Sequence, residues 1–185
     1  MEINDSLIKS IQNNDRKVIT ELYKETFSLL MGVVVRYKQN SEDQMSLVNN
    51  SFLKIVSKID QFKVGTSFFS WVKRIAQNEV IDDFRKEKRY KELFHFEESM
   101  GKYEGTSEEL ETDNRFEPEE LQDMLNTLPP ATKMVFNLYA IDGYKSTEIM
   151  DELQIGAETV KWHLKEARKR LRFLIAEKTQ EVIKN

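Results

Sequence analysis

Residues 67–89 read SFFSWVKRIAQNEVIDDFRKEKR, and this stretch decides the class of fold. Wound at about 100 degrees per residue, it separates into two faces. Phe69, Val72, Ala76, Val80 and Phe84 share an arc of about 120 degrees, the width of an ordinary core stripe. Trp71, Arg74, Asn78, Arg85 and Arg89 share an arc of roughly 60 degrees on the far side. Guanidinium groups neutralise phosphates, an indole stacks on a base and an amide reads a base edge, so the second face suits unpaired DNA. A plainer reading stands beside it: Trp71 sits at the edge of a core, and the basic tail keeps the surface soluble.

Working outward, the chain from Leu7 to about Arg89 contains no proline and places apolar residues three and four apart, with Gly65 as its clearest break. That half reads as a helical bundle. Residues 91–120 hold Gly101, Gly105 and Pro118 among many acids and have no sustained apolar period, the composition of a linker. From Leu121 the helical period resumes, is interrupted at Leu128-Pro129-Pro130, and continues to about residue 176, leaving 177–185 as a tail. No β-type alternation or internal repeat occurs. The expected fold is all-α: two small helical domains, 1–90 and 121–176, joined by the acidic linker 91–120.

Composition narrows the function classes. The 185 residues are 39% hydrophobic and 32% charged, with no cysteine and two histidines, which removes disulfides, thiolate nucleophiles and cysteine-based zinc sites. No apolar run is long enough to cross a bilayer and no basic-then-apolar leader opens the chain, so the expectation is a cytoplasmic protein without membrane insertion. The net charge of -4 disguises an uneven distribution. Residues 54–91 carry ten Lys/Arg against five Asp/Glu, a balance of +5; residues 92–123 carry two against twelve, or -10; residues 157–178 carry seven against three, or +4. Binding follows local charge, so two basic blocks around an acidic spacer remain compatible with DNA.

The second basic block lies in GYKSTEIMDELQIGAETVKWHLKEARKRLR, residues 143–172. Its layout is helix, short glycine-bearing turn, helix. Ser146 is placed to cap the first helix, Glu148 lies near its positive end, and Gly156 sits in the turn. In the second helix Val160, Leu164, Ala167, Leu171 and Leu174 form a buried stripe. Lys161, Lys165, Arg168 and Arg172 occupy an arc of roughly 60 degrees elsewhere, able to meet guanine edges and phosphates in a major groove. An amphipathic bundle helix with a basic outer face has the same periodicity. His163 reads as a surface histidine rather than a ligand.

Both blocks resemble the sigma-70 family of RNA polymerase sigma factors, and its extracytoplasmic-function (ECF) subgroup in particular. SEDQMSLVNNSFLKIVSKIDQF, followed by F-x-x-W-x-x-x-I-A-x-N-x-x-I-D-x-x-R-K, is similar to sigma region 2. LNTLPPATKMVFNLYAIDGY and EIMDELQIGAETVKWHLKEARKRL are similar to region 4. The resemblance implies a transcription initiation factor, not an enzyme and needing no cofactor, that brings core RNA polymerase to promoter DNA. It places Leu47, Asn49, Asn50 and Phe52 in the helix that docks on the polymerase β′ clamp helices, Phe52 as core. It places Lys63, Ser67, Trp71, Arg74, Asn78, Asp82, Arg85, Lys86 and Arg89 on the -10 element, with Asn78 sensing a flipped base. Lys161, Trp162, Lys165, Glu166, Arg168 and Lys169 fall on the duplex -35 element, in a region that also binds the β flap. It admits an anti-sigma factor as a further partner.

Four positions depart from the family pattern. Ser46 stands where an acid is usual, two residues after Gln44 in place of alanine, which makes the docking face less acidic. Trp162 replaces a small residue and Glu166 an arginine; a carboxylate repels phosphate but accepts from a cytosine amine, so both retune the expected -35 readout. The acidic spacer is either solvated, or, as in sigma linkers, threads toward the RNA exit path where its charge stands in for RNA phosphates. The competing reading is a stand-alone regulator of the response-regulator output type, since TVKWHL also resembles that recognition helix. The first ninety residues lack a receiver domain's βα alternation. An all-α enzyme finds no support: Glu42/Asp43 and Asp82/Asp83 are adjacent acids with no histidine spaced to join them.

Overall fold

The computed structural model describes residues 3–87 and 116–184, with side chains as far as 178. Among these residues there are eight α-helices and no strand, so the fold is all-α. The chain divides into two compact units, Met1–Asp83 and Phe84–Asn185.

The first unit is built from α1 (Asp5–Gln12), α2 (Arg16–Val34), α3 (Ser41–Ser57), a 3-10 turn (Ile59–Gln61) and most of α4 (Phe68–Lys86). Polar side chains start its first three helices. Asn4 accepts from the Leu7 N–H at 3.0 Å, Asp15 from Lys17 at 2.9 Å and Asn40 from Glu42 at 2.7 Å, each cap worth about 1 kcal/mol. Leu22, Leu30 and Val34 of α2, Val48 and Ile55 of α3, and Val72, Ala76, Val80 and Ile81 of α4 are buried. The α4 stripe therefore forms as its spacing requires, except at one end. Phe69 is 47% exposed and its neighbour Phe68 is buried instead. Phe62, just after the 3-10 turn, meets the Phe68 ring edge-on with centroids 5.3 Å apart, which fixes the aromatic contact one residue earlier than the helical wheel places it.

The second unit contains α5 (Pro118–Asn126), α6 (Pro130–Phe136), a π-helical turn (Asn137–Ile141), α7 (Ser146–Leu153) and α8 (Ala157–Lys184). Proline opens both α5 and α6, where its missing N–H costs nothing and its fixed φ suits the first helical turn. Thus α5 begins inside the segment whose acids suggest a linker, and Glu120 accepts the Glu117 N–H at 3.1 Å to close its first turn. Gly143, at φ 77, makes the bend that leads into α7. The α7 cap is Lys145 rather than Ser146: its backbone N–H donates to Glu148 Oε2 at 2.8 Å.

The α7–α8 turn leaves α7 through Gln154, at φ 55 and ψ 45, with its N–H on the Met150 carbonyl. This left-handed position is usually glycine's. Gly156 comes two residues later, where its carbonyl accepts the Val160 N–H at 3.2 Å and starts α8. α8 packs along α6 and α7, burying Val160, Leu164, Ala167 and Leu171. Its later turns meet α5 in a cluster of Met124, Leu125, Leu128, Ala167 and Leu171, with Leu174 at its border. The helix runs on to Lys184, through the stretch expected as a tail.

Candidate nucleic-acid interface

The outward strip of α4 begins with a cap. The Ser67 hydroxyl accepts from the Ser70 N–H at 3.3 Å and from the Ser70 hydroxyl at 2.8 Å, while its carbonyl takes the Trp71 N–H at 3.2 Å. Ser67 is thus occupied in starting the helix. Lys63, in the loop before it, is exposed. Trp71 is half-buried, its ring centroid 5.6 Å from Phe62 and 5.8 Å from Phe68. The indole combines both sequence readings: one side closes the aromatic cluster and the rest stays open to stack. Arg74, Asn78 and Lys86 are exposed and Arg85 is half-buried; Arg89 lies outside the described residues.

Asp82 sits on the same strip, with Asn78 one turn before it, but its carboxylate is held from α3. Lys54 donates to Asp82 at 3.2 Å and pairs with Glu79, which is only 6% exposed. The hydrogen bond to Glu79, helped by the one to Asp82, raises the Lys54 pKa above its usual value. Asp83 pairs with Lys38 at 2.6 Å. The adjacent acids of α4 are therefore explained by ion pairs to α3 and to the α2–α3 connection.

On α3, Leu47 and Phe52 are buried at 3% and 8% exposure, while Asn49 and Asn50 face outward. The expectation that Leu47 touches a partner gives way to a core role, for the reason already given for Phe52. Tyr23 donates to Asn49 Oδ1 at 3.2 Å.

In the second unit the basic strip of α8 starts with Lys161, exposed and paired with Glu158 at 2.7 Å. Two exposed ends of such a pair gain little from each other, so this lysine remains available to phosphate. Lys165 and Arg168 are half-buried, and Lys169 is exposed. Glu166 accepts from Arg170 Nε at 2.6 Å, an i,i+4 pair on its own helix. Trp162 is half-buried, its ring edge-on to His163 with centroids 4.9 Å apart.

His163 overturns the expectation of a surface histidine. It is fully buried, and Nδ1 lies 3.0 Å from the Thr132 hydroxyl of α6. Burial pushes its pKa down to about 4, against a smaller upward pull from Glu166. The ring is neutral at physiological pH and serves as a polar tie between α6 and α8.

Two helices each back an outward cationic strip with a buried apolar stripe, one capped by Ser67 and carrying a half-open indole, the other following a tight turn. The family profile described as ECF sigma factor matches residues 2–176, and so takes in both.

The chain belongs to the ECF sigma factor family.

This sigma factor is 26% identical over 180 residues to the ECF RNA polymerase sigma factor SigW of Bacillus subtilis, covering 89% of the chain and 92% of that relative. It is 24% identical over 163 residues to the ECF RNA polymerase sigma factor SigE of Mycolicibacterium smegmatis, covering 87% of the chain and 63% of the relative's length. In fold it is similar to the sigma factor RpoE of Bartonella quintana, solved in complex with the anti-sigma factor NepR. The TM-score is 0.50 and the identity 18%, over 84% of this chain and 97% of that one.

Sequence reasoning missed three groups in this sigma factor. Lys54 stands in the last turn of α3, two residues past Phe52, and gave no sign of reaching α4. Thr132 lies in α6, between Ala131 and Lys133, with nothing in the local sequence to point to His163. His163 did carry a signal: it stands three residues after Val160 and four before Ala167, on the buried stripe itself. Arg170, four residues after Glu166, was legible as a helical ion pair.

Proposed function

We propose that the chain is a transcription initiation factor that binds core RNA polymerase in the cytoplasm and directs it to promoters. The observation carrying this reading is that one family match, over residues 2–176, takes in both basic helices in the order the function requires. In this reading α4 recognises and melts the -10 element. Trp71 stacks on an unpaired base, Asn78 reads a base edge, and Lys63, Arg74, Arg85, Lys86 and Arg89 hold phosphates. Ser67 supports the helix, and Asp82 leaves the contact set because Lys54 holds it.

α8 enters the major groove of the -35 duplex with Lys161, Lys165, Arg168 and Lys169. Trp162 and Glu166 shape the sequence preference: the indole is braced by His163, and the carboxylate keeps a lone pair for a cytosine amine beside its bond to Arg170. Asn49 and Asn50 present the polar face of α3 to the β′ clamp helices, and the second unit meets the β flap. The spacer, with eight Asp/Glu against two Lys/Arg over residues 92–115, a balance of -6, follows the RNA exit path. The Bartonella relative was solved with an anti-sigma factor, and a partner of that kind is proposed for this chain too.

Among the described residues no helix is long and apolar enough to cross a membrane. The test is reconstitution with cognate core enzyme on a genomic promoter library. Promoter-specific transcripts dependent on the chain are expected; duplex binding without core enzyme, and no transcript from any promoter, overturns the reading in favour of a stand-alone regulator. Neutralising the acids of residues 92–115 is expected to lower productive initiation while leaving promoter binding in place, and unchanged initiation removes the exit-path role.

A further inference from the structure

α4 presents a contradiction if it approaches DNA. Its outward strip is cationic, yet Asp82 sits within about 20 degrees of the line through Trp71 on a helical wheel and one turn from Asn78. Glu79, about 80 degrees from the Trp71 line and beside Val72 of the core stripe, is a second acid, buried beneath the edge of that strip. A strand laid along Arg74, Asn78 and Arg85 would pass over the Asp82 carboxylate, with the buried Glu79 charge beneath it, and phosphate oxygens near an uncompensated acid are repelled.

The compensation comes from the neighbouring helix. Lys54, near the C-terminal end of α3, reaches across to α4 and engages both acids at once: an ion pair with Glu79 and a hydrogen bond of 3.2 Å to Asp82. Glu79 is buried, so its charge cannot be dissipated into water and needs a partner. The hydrogen bond to Glu79, with that to Asp82, raises the pKa of the ammonium further above its ordinary value, so it carries its charge at physiological pH. Lys38, which pairs with Asp83 at 2.6 Å, treats the next acid of α4 in the same way.

We propose that Lys54 is a positioning residue for promoter opening: from the polymerase-facing helix α3 it neutralises the Glu79 and Asp82 carboxylates of α4, so that the cationic strip can accept a DNA strand. This rests on the reading of α4 as the -10 helix. Lys54 itself touches no DNA.

The experiment uses holoenzyme reconstituted with the full chain, on a promoter selected from the library by the wild-type chain. Opening is followed by a fluorescent base analogue in the -10 element, with core binding and urea stability measured alongside. Lys54→Met is expected to lower opening about five-fold, the factor for one unit charge about 8 Å from a phosphate at a surface of intermediate dielectric constant. Core binding should stay as in the wild type. Lys54→Arg should restore opening, and the double variant Lys54→Met with Asp82→Asn should recover most of it, which a purely structural role for Lys54 does not predict.

Asp82→Asn alone, with Lys54 still on Glu79, should raise opening about two-fold by removing a charge from the strip; this variant decides the matter if Lys54→Met does not fold. A Lys54→Met holoenzyme that opens DNA at the wild-type level, a defect that Asp82→Asn does not relieve, or an Asp82→Asn chain that opens less well each overturns the proposal. A wild-type chain that opens no promoter overturns the reading of α4 and the proposal with it, whereas the other failures leave that reading standing.

Discussion

Mild acid should loosen the second unit through a single side chain. His163 is buried with its Nδ1 on the Thr132 hydroxyl, and its folded pKa is about 4 against an ordinary value of 6.5. Because the folded value is the lower one, the unfolded chain takes up the proton first. The stability present above about pH 6.5 is therefore lost progressively as pH falls toward 4. Over the whole window the shift corresponds to about 3 kcal/mol, and between pH 7 and pH 5 to about 2 kcal/mol. The partly opposing charge of Glu166 is already contained in the folded pKa. The assay is urea unfolding at the two pH values, followed by tryptophan fluorescence in a Trp71→Phe background, which leaves Trp162, against His163, as the sole reporter. His163→Asn, whose amide can still meet Thr132, serves as comparison. Its stability should change by about 2 kcal/mol less than that of the parent between pH 7 and pH 5. Equal losses in the two chains would refute the reasoning, because every other titrating group is common to both.

Other expectations concern single positions. Gln154→Gly should stabilise the second unit by about 0.5–1 kcal/mol, since glycine takes the left-handed conformation at φ 55 without strain; a raised urea midpoint at unchanged slope is the expected result. Ser67→Ala should cost about 1 kcal/mol by removing the cap of α4, seen in the unfolding of the first unit, while Ser67→Thr should cost less. Asn78→Ala should lower opening at the selected promoter while duplex binding of the -35 element stays constant. Lys165→Ala should weaken duplex binding across sequences and reduce the salt slope by about one; loss of sequence preference with an unchanged slope would place Lys165 on a base instead of a phosphate.

Much of the fold could be read from spacing because most of it is spacing. The stripe Val72, Ala76, Val80 of α4 and the stripe Val160, Leu164, Ala167, Leu171 of α8 are buried where a 3.6-residue period puts them. What escaped depended on contacts between segments distant in sequence. Phe69 lost its core place to Phe68 because Phe62 comes from the preceding loop. His163 was judged by its type when its position was the better guide. Helix ends were misplaced where composition masked capping chemistry: Glu117, Pro118 and Glu120 read as linker acids and a breaker, yet together they form the start of α5. The candidate DNA-facing residues were legible as strips, but their working states were not. Asp82 and Glu166 carry bonds to Lys54 and Arg170 that redirect the charge each one offers.

The length of α8 sets a constraint of its own. At 28 residues it extends about 42 Å, with the -35 candidates Lys161 to Lys169 in its first half and the α5-facing Leu171, Leu174 and Ile175 beyond them. A continuous helix keeps those two halves in fixed phase. One residue inserted between Lys169 and Leu171 would rotate one half against the other by about 100 degrees, swinging either the basic strip off the groove or the apolar stripe off α5. Three or four inserted residues nearly restore the phase. The second unit can therefore change its reach along this rod only in steps of about one turn, and the spacing between what it reads and what it leans on is quantised by the helix itself.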